Sequence, residues 1–489
     1  MQPDETTPIL QGNGLSVFFA ILCIVDVFGV FPVVALPKPI IDCGYYGILV
    51  IFAVCSIQIY TATLLGKCWN LAEEMEPNMK RKNRYPYSAL AELTFGKYLA
   101  HFVTFLVDIT VFGGGIPNLI VAAKNLELLG LRISEGSFDI SFCYWIIILG
   151  TVLCPILWLG SPKDMKVICT ISALIVTSVY ILTSSCLLST VNADIPQIEA
   201  EFSSSNWELW QVMLSAYGIV TFQFDIHPTI LTIHMDMTNK GKLPIAIIGG
   251  FSVSLIMFGT TALITAWKYG TNSKASLLET LPTSLPLHFA AGLVAIQLCL
   301  TSAVSNSALY QHMEDCLNIS RAFNHKRCIL RTILIIIAII IAESVPRFDL
   351  VMSLIGGSLT GPLVFFFPPL FYIRMIYLHK KYVRKLELES FSNVILMERR
   401  SSNLSEDYSS DITDYKGEQK INVGLYQSRK TFREIWNEKL EIVICISIII
   451  LSSFATCITT YLNVSSATLS YANLTKPCIY NISNALLYL

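Results

Sequence analysis

Eleven apolar runs, each about as long as a bilayer crossing, punctuate this 489-residue chain and leave few folds open to it. A hydrocarbon core ~30 Å thick takes roughly 17 to 25 residues of helix. Runs of that kind lie at 15–37, 44–66, 99–122, 142–160, 165–189, 207–234, 243–267, 288–313, 328–343, 350–378 and 440–462. Only 14% of the residues are charged, against roughly 25% in a soluble domain, so most of the chain belongs in lipid. The expectation is an all-α integral membrane protein with about eleven transmembrane helices. A formal net charge of −1 supplies no concentrated basic surface, which argues against nucleic acid as a partner.

The chain has fourteen cysteines. Most, such as Cys23, Cys55, Cys169 and Cys445, lie inside apolar runs and read as small buried side chains. There is no Cys-x-x-Cys pair, so neither a metal nor a cofactor is expected.

The segment before the first run carries Asp4 and Glu5, where a cleaved signal peptide needs positive charge, so the first span is expected to stay in the protein. With the N-terminus in the cytosol, all but seven of the 34 lysines and arginines fall on the cytosolic side; the exceptions are Lys38, Lys124, Arg132, Lys268, Lys274, Arg347 and Lys476. That bias sets orientation. Three N-x-S/T sequons, at Asn463, Asn473 and Asn481, then face the lumen or exterior as glycosylation candidates. The chain thus divides into a cytosolic tail (1–14), a ten-helix core (15–378), a disordered cytosolic loop (379–438) that is charged and serine-rich at 397–419, an eleventh transmembrane helix (439–462) and a glycosylated tail (463–489).

Helix-breaking residues mark two of the runs. The first contains Gly29, Pro32 and Pro37, with Pro39 just beyond, and is expected to break near 29–32; the sixth contains Gly218, Asp225, His227 and Pro228 at mid-depth. Irregular backbone at membrane depth must line a cavity or be buried in protein. Two interrupted helices five spans apart fit a transporter of two inverted five-helix repeats, in which half-helix amides face an anion and freed carbonyls face a cation. An α-amino acid carries both charges. Ionisable groups inside spans are costly and point to function, which singles out Asp26, Asp108, Asp225 and His227. The glycines at 113–115 suit close helix packing. Enzyme motifs such as H-E-x-x-H, G-x-S-x-G and the P-loop do not occur.

Several local patterns resemble one family. Residues 29–37 with Cys43-Gly44-Tyr45 and Tyr60-Thr61, the Phe222-x-Phe224-x-x-His227-Pro228 segment, Val345-Pro346-Arg347-Phe348, Gly357-Ser358-Leu359-Thr360-Gly361 and Pro368-Pro369-Leu370-Phe371 are similar to motifs of the amino acid/auxin permease family. The likeness is to its branch of vesicular inhibitory and lysosomal or vacuolar amino acid transporters, over about 14–462. The resemblance implies a LeuT-type core of two five-helix repeats plus one C-terminal helix. It also implies an amino acid held between the first and sixth helices, with a proton as the usual coupling ion. Asp26, Gly29, Val30, Phe31, Phe222, Phe224, Asp225 and His227 are then the substrate-site residues, and Asp26, Asp225, His227 and Asp108 the proton-coupling candidates. Two departures stand out: the family's glycines fall at Val30 and Ala35, and Asp26 stands where relatives commonly place asparagine.

Glu5, Ile9 and Leu10 resemble an acidic dileucine sorting signal for endolysosomal or vesicle membranes, with the plasma membrane as the other destination. Sodium is the second coupling ion to consider, since Thr301, Ser302 and Ser305 share the eighth span. The alternative function is an amino-acid sensor acting through a cytosolic partner.

Overall fold

A computed structural model describes residues 14–77, 85–134, 140–158, 165–189, 206–319, 324–344, 348–401 and 432–471. In chain order the helices are α1 (Val17–Phe28), α2 (Phe31–Val34), α3 (Pro37–Asp42), α4 (Tyr45–Met75), α5 (Pro86–Phe95), α6 (Lys97–Ile133), α7 (Phe142–Trp158), α8 (Met165–Ser189), α9 (Asn206–Gln223) and α10 (His227–Asp236). They continue as α11 (Leu243–Tyr269), α12 (Leu277–Thr280), α13 (Leu285–Cys316), α14 (His325–Ser344), α15 (Phe348–Ile355), α16 (Phe367–Ser401) and α17 (Phe432–Tyr471). Each expected span lies on one of these helices or on a broken pair. Seven are long and apolar enough to cross a bilayer, and Val17–Phe28 and Phe142–Pro155 are shorter apolar helices.

Packing carries an internal symmetry. Exchange α1 with α9, α4 with α11, α6 with α13, α7 with α14, and α8 with α15, and the neighbours of one half become those of the other. Thus α1 packs on α8 as α9 packs on α15, and α1 on α11 as α9 on α4. Likewise α6 packs on α15 as α13 on α8, and α7 on α13 as α14 on α6. The pairs α6–α13, α4–α11 and α7–α14 map onto themselves. This is the pattern of two repeats of one five-helix unit. At one end the two broken helices meet through backbone: Leu15 N donates to Asp236 O at 2.7 Å and Thr238 N to Leu15 O at 3.0 Å.

Glycines set the closest approaches. On α6, Gly113 meets Ile355, Gly114 meets the Phe222 ring and Gly115 meets Asn306, so three successive glycines admit three different helices. A Cβ on Gly356 would lie 1.8 Å from the Gly218 carbonyl oxygen, so α9 and the segment after α15 touch backbone to backbone. That segment runs as two π-helical turns, Gly356–Thr360 and Pro362–Phe366. Such bulges accumulate where a helix is shaped for function.

Two expectations need correcting. Helix α16 continues through Ser401, so the loop expected from 379 begins no earlier than 402. Lysine, leucine and glutamate in 380–389 are strong helix formers that loop-like composition further on obscured. Helix α17 runs to Tyr471, past the expected end at 462. Cys143 is disulfide-bonded.

Candidate functional site

The first break is set by two residues. Gly29 takes φ 62° and ψ −151°, a left-handed conformation that glycine adopts at little cost. Three residues on, Pro32 has no N–H to give the Phe28 carbonyl, its ordinary helical partner. The Gln223 amide on α9 donates to that carbonyl instead, at 2.6 Å. A new helical turn then starts at Phe31.

The second break is built without a left-handed residue. Asp225 N–H bonds back to Phe222 O at 3.3 Å rather than to Thr221 O, and the freed Thr221 carbonyl accepts from the Gln58 amide on α4 at 2.9 Å. The Asp225 carboxylate accepts from the His227 backbone N–H at 3.0 Å and starts α10. The same oxygen lies 3.3 Å from His227 Nδ1. His227 Nε2 is 3.0 Å from the Thr61 hydroxyl, whose proton has the Ile57 carbonyl at 3.0 Å to bond. Both imidazole nitrogens of a fully buried histidine therefore face oxygens.

Around the first break a second polar group assembles. Asp26, 4% exposed, lies against Ser172 and Cys169 of α8. Gln297 of α13 donates to Thr301 Oγ1 at 2.7 Å and approaches Ser172 Oγ at 3.4 Å. Its Nε2 would be 3.0 Å from a Cβ on Gly29, and its Oε1 is buried without a hydrogen-bond partner among the described residues. Asn118 donates to Ser302 at 3.0 Å, while Ser305 is exposed.

The expected residues separate into groups. Asp26, Gly29, Val30 and Phe31 cluster at the first break, and Phe222, Asp225 and His227 at the second. Phe224 belongs to neither lining: its ring packs on Phe28 and Phe251, with centroids 5.0 and 5.8 Å away, and locks the breaks together. Asp108 stands apart, 2.5 Å from His312 Nδ1, bridging α6 to α13, with the Tyr85 ring 5.0 Å from the imidazole. Asn463 is 8% exposed and both amide atoms bond Ser353, Nδ2 to its carbonyl at 2.8 Å and Oδ1 from its hydroxyl at 3.0 Å. That amide is not available to a glycan, because α17 carries it into the bundle. Asn473, Asn481, Glu5, Ile9 and Leu10 lie outside the described residues.

Sequence reasoning missed Gln58, Gln223, Gln297 and His312. The glutamines left one signal, a lone amide in an otherwise apolar stretch, as in VCSIQIYT and LVAIQLCL. At the end of the bundle bearing Lys38, a cavity of about 350 Å³ opens between α2–α3, α9 and α15, lined by Ala35, Lys38, Ser215, Ile219, Asp349 and Met352 among others.

The sequence pattern described as "Transmembrane amino acid transporter protein" matches residues 15–397. The chain belongs to this family. Among the family's curated members, Amino acid transporter AVT1C of Arabidopsis thaliana is 22% identical over 339 residues, 68% of this chain and 58% of its own length. Amino acid transporter AVT1J of Arabidopsis thaliana is 22% identical over 354 residues, 70% of this chain and 79% of its own. Putative sodium-coupled neutral amino acid transporter 8 of Xenopus tropicalis is 26% identical over 234 residues, 45% of this chain and 53% of its own. The crystal structure of MhsT in complex with L-phenylalanine superposes with a TM-score of 0.52 at 12% identity, over 93% of this chain and all of that one. At that identity the likeness concerns the fold, a LeuT-type arrangement that the internal packing symmetry also displays.

Proposed function

We propose that this protein is a secondary active transporter of small amino acids, coupled to protons by symport or exchange. The observation that carries the reading is the pairing of two interrupted helices, each with a freed carbonyl satisfied by a glutamine from another helix, in a chain of the amino acid transporter family. The substrate carboxylate meets the leading amides of the turn at Val30 and Phe31, which a helix start leaves without internal partners. The substrate ammonium faces Asp26 and the unpartnered Gln297 oxygen. Phe222, between Gly114 and Gly356, bounds the side chain and favours a small one.

Two arrangements support protons over sodium. His227 between Asp225 and Thr61, and His312 against Asp108, are imidazole–oxygen pairs able to pass a proton within the bundle. On the eighth span, Thr301 and Ser302 accept from the amides of Gln297 and Asn118, which occupies oxygens a bare cation needs. The N-terminus faces the cytosol and the C-terminus the lumen or exterior, a reading supported by the lysine and arginine bias and by the disulfide at Cys143, on the side where disulfides persist. Glycans on Asn473 and Asn481 fit that orientation, and the Glu5–Ile9–Leu10 signal supports an endolysosomal or vesicular address.

Uptake of a labelled amino-acid panel into proteoliposomes, with and without an imposed pH gradient and with sodium absent, tests the proposal. Gradient-driven uptake is the expected result. Saturable binding without flux overturns it in favour of an amino-acid sensor.

A further inference from the structure

Beyond residue 378, α16 leaves its apolar run and leans over the ends of α4 and α5. There the three helices border an open groove of about 550 Å³ with two unlike walls. One is hydrocarbon, from Met75, Leu93, Leu378 and Leu388; the other is cationic, from Lys381, Arg384 and Lys385.

Three of the acids at this end are engaged elsewhere. Glu74 bonds His379 at 2.9 Å, Glu441 bonds Lys67 at 2.7 Å and Glu438 bonds Lys380. Lys385 has Glu389 at 3.6 Å, with both side chains exposed. Lys381 and Arg384 have no acidic partner among the described residues. Both stand beside the apolar floor without an ion pair among those residues.

We propose that this groove binds an anionic phospholipid of the cytosolic leaflet. Lys381 and Arg384 hold the headgroup phosphate, with Lys385 at the rim, and an acyl chain lies along Met75, Leu93, Leu378 and Leu388. A free phosphate or an acidic peptide explains the cations but not the hydrocarbon wall, whereas a lipid needs both at the level where a span ends. The lipid bridges α5 to α16, a contact the protein also makes one turn earlier through Arg374 Nε and the Thr94 carbonyl at 3.2 Å. The inference uses the proposed orientation but not the transport reading, so each can fail alone.

The full chain is purified into nanodiscs of phosphatidylcholine, with or without phosphatidylserine or a phosphoinositide. Retained lipid is read by native mass spectrometry, and thermal stability in parallel. Wild-type protein is expected to retain the anionic lipid selectively and to melt higher with it. Lys381→Ala and Arg384→Ala each weaken retention about fivefold, the effect of one interfacial cation. Leu388→Gln also weakens it, and Lys380→Ala, which removes a charge already paired with Glu438, leaves it unchanged. Equal retention of phosphatidylcholine overturns the proposal. So does a Lys380→Ala effect as large as that of Lys381→Ala, which would indicate a diffuse field, or full displacement by a soluble inositol phosphate, which would indicate a free-anion site.

Discussion

The two helix breaks solve one problem with different chemistry. At the first, backbone conformation does the work: Gly29 turns left-handed and Pro32 withholds a donor. At the second, a side chain does it, with the Asp225 carboxylate taking the His227 amide and ring against one oxygen. Each break also exposes a carbonyl that a glutamine from elsewhere satisfies, and one of these glutamines, Gln223, ends the other broken helix. The first break is therefore a rigid bend beside a carboxylate, Asp26, and the second carries its charge in the bend. A rigid bend suits holding a substrate; a charged bend suits a step that changes with protonation.

The largest expected effect lies at the rigid bend. A methyl group at Gly29 meets a left-handed backbone, worth about 1–2 kcal/mol against an L-residue, and a Gln297 nitrogen 3.0 Å away. Gly29→Ala is expected to lower proteoliposome uptake at least about tenfold, with the protein still monodisperse in detergent. Adding Gln297→Ser relieves the collision but not the φ penalty and removes the oxygen proposed to meet the substrate, so part of the thermal stability returns while uptake stays low. Wild-type uptake by Gly29→Ala removes the first break from the mechanism.

Next comes the division of labour between the carboxylates. If the second break carries the proton, Asp225→Asn and His227→Gln lower the stimulation by a pH gradient about tenfold, within the usual range of coupling energies. Asp26→Asn instead raises the substrate concentration needed for half-maximal uptake and keeps the pH dependence. A flattened pH profile in Asp26→Asn alone reverses the assignment, and unchanged transport removes Asp26 altogether.

What could be read from residues alone followed the same divide. Breaks were legible because glycine and proline act locally: Gly29–Pro32 and His227–Pro228 announce lost helical donors whatever surrounds them. The spans were legible because lipid imposes a length on each. The partners were not. Gln58 meets Thr221 across 163 positions of sequence, and His312 meets Asp108 across 204; only the folded packing brings such pairs together. Phe224 misled for a related reason, since an aromatic ring beside a break looks the same in a pocket as in the Phe28–Phe251 cluster.

The glutamine caps test whether the breaks are equivalent in stability if not in chemistry. Gln58→Ala and Gln223→Ala each leave one buried carbonyl without a donor, a loss of about 1 kcal/mol in a membrane protein. Similar drops in thermal stability are expected for the two. A drop confined to Gln223→Ala would mean that the first break alone depends on its cap.

The smallest expected effect separates the breaks by their surroundings. Asn463 reaches from α17 to hold Ser353 on α15, and α15 packs on α9 just ahead of the second break. The first break's counterpart helix, α8, is held by a core helix, α11, instead, through Tyr180 to Thr260 at 3.0 Å and Lys268 to the Leu187 carbonyl at 2.5 Å. Asn463→Ala should therefore lower thermal stability by up to about 1 kcal/mol and loosen the second break, measured as faster amide exchange in α9, while exchange in α1 stays as in wild type. The same variant should run with wild-type mobility before and after glycosidase treatment, because a buried, doubly bonded amide carries no sugar. A mobility shift that Asn463→Ala abolishes would mean that α17 ends before residue 463 in the cell, and the buttress would go with it.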